Sequence, residues 1–167
     1  CRVVKRRREV LPVRAAGEGF VIHLGADEAA LVRRLLAELR SLLADDEPDS
    51  EARALLVRLF PVVHRDDPVA EEEYQRLMRD ELVQSKLAAI EHVDEALAGT
   101  GQVDEPRLIA FMQSVNSIRL VLGTMLGVTD DPDLDEVTQG QEDSAEYHLY
   151  VYLSWLLDHA VRALTGD

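Results

Sequence analysis

Asp104-Glu105-Pro106-Arg107-Leu108-Ile109-Ala110-Phe111-Met112-Gln113-Ser114-Val115-Asn116-Ser117-Ile118-Arg119-Leu120-Val121-Leu122-Gly123-Thr124-Met125-Leu126-Gly127-Val128 reads as one complete helix with both ends marked. Asp104 is a good N-cap, and Pro106 falls in the first turn, where no N–H is needed. Gly127 is placed to end the helix in a left-handed cap. Leu108, Phe111, Val115, Ile118, Leu122, Met125 and Leu126 recur at helical spacing, which predicts a central core helix. Asn116 and Arg119 lie on the flank of that face, one turn apart. Gly123 lies above Asn116, and its missing side chain would let another backbone approach closely.

The rest of the chain is arranged to cover such a helix. With 167 residues it has the size of one domain, burying on the order of 70% of its unfolded surface. It is 47% hydrophobic but only 5% aromatic, so the core is expected to be aliphatic and helical. The whole chain, 1–167, reads as a single domain, with a β-hairpin over 1–24, a helical body over 25–167 and an acidic connection at 129–143. The hairpin follows from Val3–Ala16, an extended stretch broken by Pro12, then the turn Gly17-Glu18-Gly19 and the returning strand Phe20–Leu24.

Helix starts and stops then follow one another. Gly25 opens a first helix with Asp27 and Glu28 at its positive end and a predicted buried stripe of Leu31, Leu35, Leu39 and Leu42, with Val32, Leu36 and Leu43 beside it. Ser50–Phe60 is a short helix stopped by Pro61. Asp67 and Pro68 open a helix of about thirty residues reaching Ala98. Its predicted apolar series runs through Tyr74, Leu77, Met78, Leu82, Ile90, Val93 and Leu97, with a kink expected around Gln84-Ser85. Asp143 with Glu146 predicts a capping box for the last helix, to Leu164. That helix is apolar nearly all round and holds four of the eight aromatic residues of the chain, which predicts burial on two sides, between helices or across a subunit interface.

Charge excludes some functions. The formal net charge is −14, with 32 acidic against 18 basic residues. Such a surface repels nucleic acid and anionic membranes over most of its area. Arg2, Lys5, Arg6, Arg7, Arg8 and Arg14 against Glu9 alone make the first fourteen residues +5 and the remainder −19. Arg6, Arg7 and Arg8 are therefore the candidate contacts for an alternative function, a nucleic-acid-binding transcriptional regulator; a charge-guarded, solvated strand edge is the favoured reading of the same run. Lys5 and Lys86 are the only lysines. A single cysteine, Cys1, excludes an internal disulfide, and no apolar run approaches ~18 residues, so a cytoplasmic protein with no membrane contact is expected.

Catalytic signatures are lacking. His23, His64, His92, His148 and His159 form no HExxH or i,i+4 pair, and there is no nucleophile elbow, P-loop or dinucleotide fingerprint. No enzyme activity, cofactor or metal is expected. Asp131, Asp133, Asp135 and Glu142 stand at calcium-loop spacing, yet the position that needs glycine is Glu136 and Pro132 stiffens the loop, so a solvated acidic linker is favoured. Asn116 and Arg119 invite two readings. One is a small polar pocket for an anion or a partner's backbone; the favoured one is a structural bridge from Arg119 to an acid such as Asp80 or Glu81.

Several segments together resemble a known family. They are Glu28-Ala29-Ala30-Leu31-Val32-Arg33-Arg34-Leu35-Leu36, Arg58-Leu59-Phe60-Pro61 with Asp66-Asp67-Pro68, Glu73-Tyr74-Gln75-Arg76-Leu77, and above all Asn116–Gly127. The chain resembles, over nearly its whole length, an actinobacterial conserved family classed as a domain of unknown function and often encoded beside the Clp protease adaptor ClpS. Ser117 stands where that family usually has an acid. The resemblance marks Arg76, Asn116, Arg119 and Gly123, and it implies no established activity. Some members carry the label of transcriptional regulator, for which no helix-turn-helix is found here. The combined expectation is a mainly α bundle of about five helices with a small N-terminal β-hairpin. Its function is read as a non-enzymatic interaction or regulatory module, a homodimer, with an unknown protein partner drawn from the Clp system by the resemblance.

Overall fold

The computed structural model describes residues 11–45, 47–128 and 143–166. Among them are five α-helices and a small three-stranded antiparallel sheet. Strands β1 (Val13–Ala16) and β2 (Gly19–Ile22) form the expected hairpin, with Val13 opposite Ile22 and Ala16 opposite Gly19. Its tight turn uses Gly17 at φ 63°, where a side chain would be strained. The part of the predicted first strand from Val3 to Val10 lies outside the described residues.

The sheet has a third strand that the sequence did not announce. Strand β3 (Gln102–Val103) pairs with β2, placing Phe20 opposite Val103 and Val21 opposite Gln102. The Gly99-Thr100-Gly101 segment does stop a helix, as expected, and then turns the chain into this strand. Gly101 is essential to the join: its φ is 73°, a Cβ there would lie 2.1 Å from the Ile22 carbonyl oxygen, and its own carbonyl accepts from the Ile22 N–H at 2.8 Å.

Helix α1 (Ala26–Ala44) starts as predicted, the Glu28 carboxylate turning back to accept from the Gly25 N–H at 2.7 Å. Its buried stripe is Val32, Leu36, Leu39 and Leu43, not the predicted Leu31, Leu35, Leu39 and Leu42. The helix is apolar over a wide arc, and packing selected the neighbouring row. Helix α2 (Ser50–Leu56) is capped by Asp49 and tightens into a 3₁₀ turn, Val57–Leu59, before Pro61. Helix α3 (Pro68–Ala98) is capped by Asp67 and continues without interruption through Gln84-Ser85, where a kink was expected. Only its second half is buried, through Ala89, Ile90 and Val93; Leu77, placed by its spacing on the inner face, is 62% exposed.

Helix α4 (Glu105–Met125) is the predicted centre. Asp104 accepts from the Arg107 N–H at 3.0 Å, and Gly127 at φ 68° closes the other end. It touches α1, α2, α3, the 3₁₀ turn, β2 and helix α5 (Ala145–Thr165). Leu108, Phe111 and Val115 are wholly buried, and Phe111 alone gains about 1.5–3 kcal/mol from leaving water. Met125, expected on this face, is exposed instead. By length and composition α4 could cross a bilayer, but more than half of its apolar window is buried within this fold, as befits a core helix.

Helix α5 begins one residue later than the predicted capping box, with Ser144 rather than Asp143 accepting from the Tyr147 N–H at 3.1 Å. It packs on α4 and β1 through Leu153, Leu156 and Ala160. Among the described residues nothing packs on its opposite side, so they do not provide the burial on two sides between helices, and this apolar outer face is the principal surface they leave unexplained.

Candidate functional site

Gln113, Asn116 and Ser117 recur at i, i+3 and i+4 on α4, so a polar strip lies along one side of the core helix. Cavities open on both flanks of it. The first, of about 300 Å³, lies between α1, the 3₁₀ turn, α3 and α4. Its lining includes the cations Arg58 and Lys86, the hydroxyls of Ser85, Ser114 and Ser117, and the amides of Gln113 and Asn116, with leucine and isoleucine walls. Among the described residues no carboxylate lines it. Ser117 satisfies itself by donating to the Gln113 carbonyl at 2.9 Å. Ser114, 3% exposed, has a buried hydroxyl with no hydrogen-bond partner among the described residues. Burial lowers the Lys86 ammonium pKa from its ordinary value, because the charged form loses hydration.

The second cavity, about 470 Å³, is a groove between α4 and α5 whose lining includes Gln113, Asn116, Arg119, Ser154, Asp158 and Leu157. Here the pair singled out from the sequence does meet. Arg119 donates through Nε and Nη2 to the Asn116 Oδ1 at 3.2 and 3.0 Å, and its Nη1 lies 3.5 Å from the Tyr150 hydroxyl. The guanidinium carbon is 5.7 Å from the Tyr150 ring centre, a cation–π arrangement. Arg119 thus ties α4 to α5 through an aromatic ring and an amide. Among the described residues it forms no ion pair with Asp80 or Glu81, the partners the sequence suggested; those acids lie on the exposed side of α3.

Gly123 is also near this junction, but for a different reason than expected. A Cβ there would meet the Tyr150 ring at 3.4 Å and the Arg58 Nη1 at 3.5 Å. Side chains, not a second backbone, occupy the space the glycine leaves. Arg58 reaches past it to donate to the Val128 carbonyl, holding the last turn of α4. Arg76 is not part of this assembly. It is exposed on α3 and lines neither cavity. Arg6, Arg7 and Arg8 and the calcium-spaced Asp131, Asp133, Asp135 and Glu142 lie outside the described residues. No group of three or more His, Cys, Asp or Glu among the described residues could hold a metal ion.

Sequence reasoning missed Arg58, Lys86, Ser114 and Tyr150. A signal existed for two of them: Lys86 is the only lysine of the helical body, and Arg58 precedes the Leu-Phe-Pro stop of the second helix. For Ser114 and Tyr150 no local pattern distinguishes them from other small or aromatic core residues.

The outer side of α5 forms a third feature. Val151 and Trp155, one turn apart, are 47% and 45% exposed. Tyr152 stacks on Trp155 with centroids 6.0 Å apart, and His159 lies 4.5 Å from it on the other side. Asp158 and Arg162 pair at 2.9 Å along the same face. The Tyr152 hydroxyl is buried beside the Glu28 carboxylate but in hydrogen-bonding geometry with no group among the described residues, and its pKa is pushed up to about 12 by burial first and then by that carboxylate.

Comparison with known families follows the same boundaries. The chain matches the family described as Domain of unknown function (DUF2017) over residues 10–164. It belongs to that family. The DUF2017 match takes in the hairpin, helices α1 to α4, α5 up to Leu164 and both cavities, so the α4 strip and the α5 face lie within the DUF2017 domain and not in an appended segment. No curated protein and no solved structure matches the chain.

Proposed function

We propose that this DUF2017 chain is a non-enzymatic interaction module that acts as a homodimer joined through the outer face of α5. The observation that carries the reading is the pair of exposed apolar side chains Val151 and Trp155, one turn apart, with the half-buried Tyr152 stacked against Trp155, on a helix whose inner face is already satisfied. Aromatic residues on an exposed helix face contribute strongly to association when covered. The occupant is a second copy because the charges on this face are balanced: Asp158 and Arg162 are paired within each chain, so a two-fold contact brings no net like charge together despite the −14 of each molecule. In such an isologous contact Trp155 lies close to the axis and the Asp158–Arg162 pairs form the rim.

The resemblance noted above supports a role beside Clp-dependent proteolysis, with the dimer presenting a surface to that machinery; this part rests on the family resemblance alone. Light scattering across a concentration series tests the dimer. The wild-type chain is expected at twice the monomer mass and the Trp155→Glu variant at the monomer mass with unchanged helical circular dichroism. Trp155 is the only tryptophan, so its emission reports burial directly. A wild-type chain that is monomeric at all concentrations, with an emission of exposed indole, removes the proposal.

A further inference from the structure

We infer that the cavity between the 3₁₀ turn, α3 and α4 is a binding site for a small phosphate-bearing anion, held by Lys86 and Ser114 with Arg58 at its rim. Three observations converge. Among the described residues no carboxylate lines this cavity, in a chain with 32 acidic residues, while two cations do. Lys86 is half-buried and makes no ion pair among the described residues, so its charge has been partly desolvated without compensation inside the fold. The Ser114 hydroxyl is buried in the lining with no hydrogen-bond partner among the described residues. An orphaned donor and an uncompensated ammonium in one concavity cost stability each on its own; an oxyanion would satisfy both together.

The size narrows the ligand. About 300 Å³ is at the small end of ligand sites, enough for a phosphate group with a few carbon atoms. Lysine offers a point charge and serine and the Gln113 and Asn116 amides offer separate donors, a set suited to the tetrahedrally disposed oxygens of phosphate rather than to a planar carboxylate, which a guanidinium fork grips best. Arg58 contributes long-range charge, one of its Nη groups being engaged by the Val128 carbonyl.

The site is independent of the α5 dimer surface, and either can fail without the other. The test is calorimetric titration of the full chain with inorganic phosphate and, separately, with glycerol 3-phosphate, against sodium chloride and sodium acetate at matched ionic strength. Saturable one-to-one heat is expected with a phosphate probe and not with acetate. Comparison of the two phosphates distinguishes free phosphate from a phosphate ester: tighter ester binding assigns the apolar wall to the carbon chain, and equal binding assigns the phosphate group alone. Lys86→Gln is expected to weaken binding about tenfold or more, and Ser114→Ala severalfold, as loss of charged and neutral donors respectively. Both substitutions remove a burial penalty, so both variants are expected to melt no lower than wild type. No saturable heat with either phosphate, or binding unaffected by both substitutions, overturns the inference.

Discussion

Gly123 offers the sharpest test of how α4, α5 and the 3₁₀ turn are joined. The glycine sits inside α4, two residues from its end, and its φ is not in the left-handed region, so nothing in the backbone demands it. If it is there to admit a second backbone, as its position in the sequence suggested, alanine should be intolerable. The structure predicts the opposite. An alanine Cβ would lie 3.4 Å from the Tyr150 ring, 3.5 Å from the Arg58 guanidinium and 3.8 Å from the Val128 Cβ, all ordinary contact distances. Replacing glycine in a helix gains roughly 0.5–1 kcal/mol of propensity, discounted for a site near the terminus, and each new contact adds about 0.1–0.2 kcal/mol. Gly123→Ala is therefore expected to stabilise the chain by about 0.5–1 kcal/mol, which raises the melting temperature by a few degrees for a chain of this size. Gly123→Val should do the reverse. Its γ-methyls extend into the same 3.4–3.8 Å gap and must displace the Tyr150 ring or Arg58, at about 1–3 kcal/mol. Urea unfolding followed by circular dichroism measures both. An alanine variant that loses more than about 1 kcal/mol would refute the packing argument, since that figure matches overpacking rather than contact.

Two further expectations concern groups away from this junction. Gly101→Ala combines a left-handed φ of 73° with a Cβ 2.1 Å from the Ile22 carbonyl oxygen, so it should cost about 2 kcal/mol or more and detach β3. Urea midpoints unchanged from wild type would contradict the strand assignment. Tyr152, with its pKa raised from 10.0 to about 12, holds its proton in the folded state after the unfolded chain has lost it. The folded state then binds more protons across that interval, and stability falls as pH rises from about 10 to 12. Tyr152→Phe should flatten this alkaline decline and leave neutral-pH stability unchanged or higher, because the hydroxyl it removes is buried without a hydrogen-bond partner among the described residues. An alkaline denaturation profile identical to wild type would exclude the tyrosine as its cause.

What could be read from the sequence is what neighbouring residues decide among themselves. Asp67 with Pro68, Asp104 with Pro106, the Gly17 turn and the Gly127 stop all act within one turn of chain, and each marks an element end found in the structure. The Arg119–Asn116 contact is of the same kind, two residues one helical turn apart. Once the element ends were marked, five helices and a hairpin followed. Where two readings were locally equivalent, the sequence could not choose. The rows Leu31/Leu35/Leu42 and Val32/Leu36/Leu43 are equally apolar and differ by a rotation of about 100°, so only the helices packed against α1 select one. Strand β3 has two residues, too few for any periodicity, and exists because β2 presents an edge to it. The cavity is the extreme case. Lys86 and Ser114 are twenty-eight positions apart on different helices, and Arg58 stands as many positions before Lys86 on the 3₁₀ turn. Their meeting depends on which face of α3 lies against α4, a choice made by the packing of the whole core and written in no single stretch of the chain.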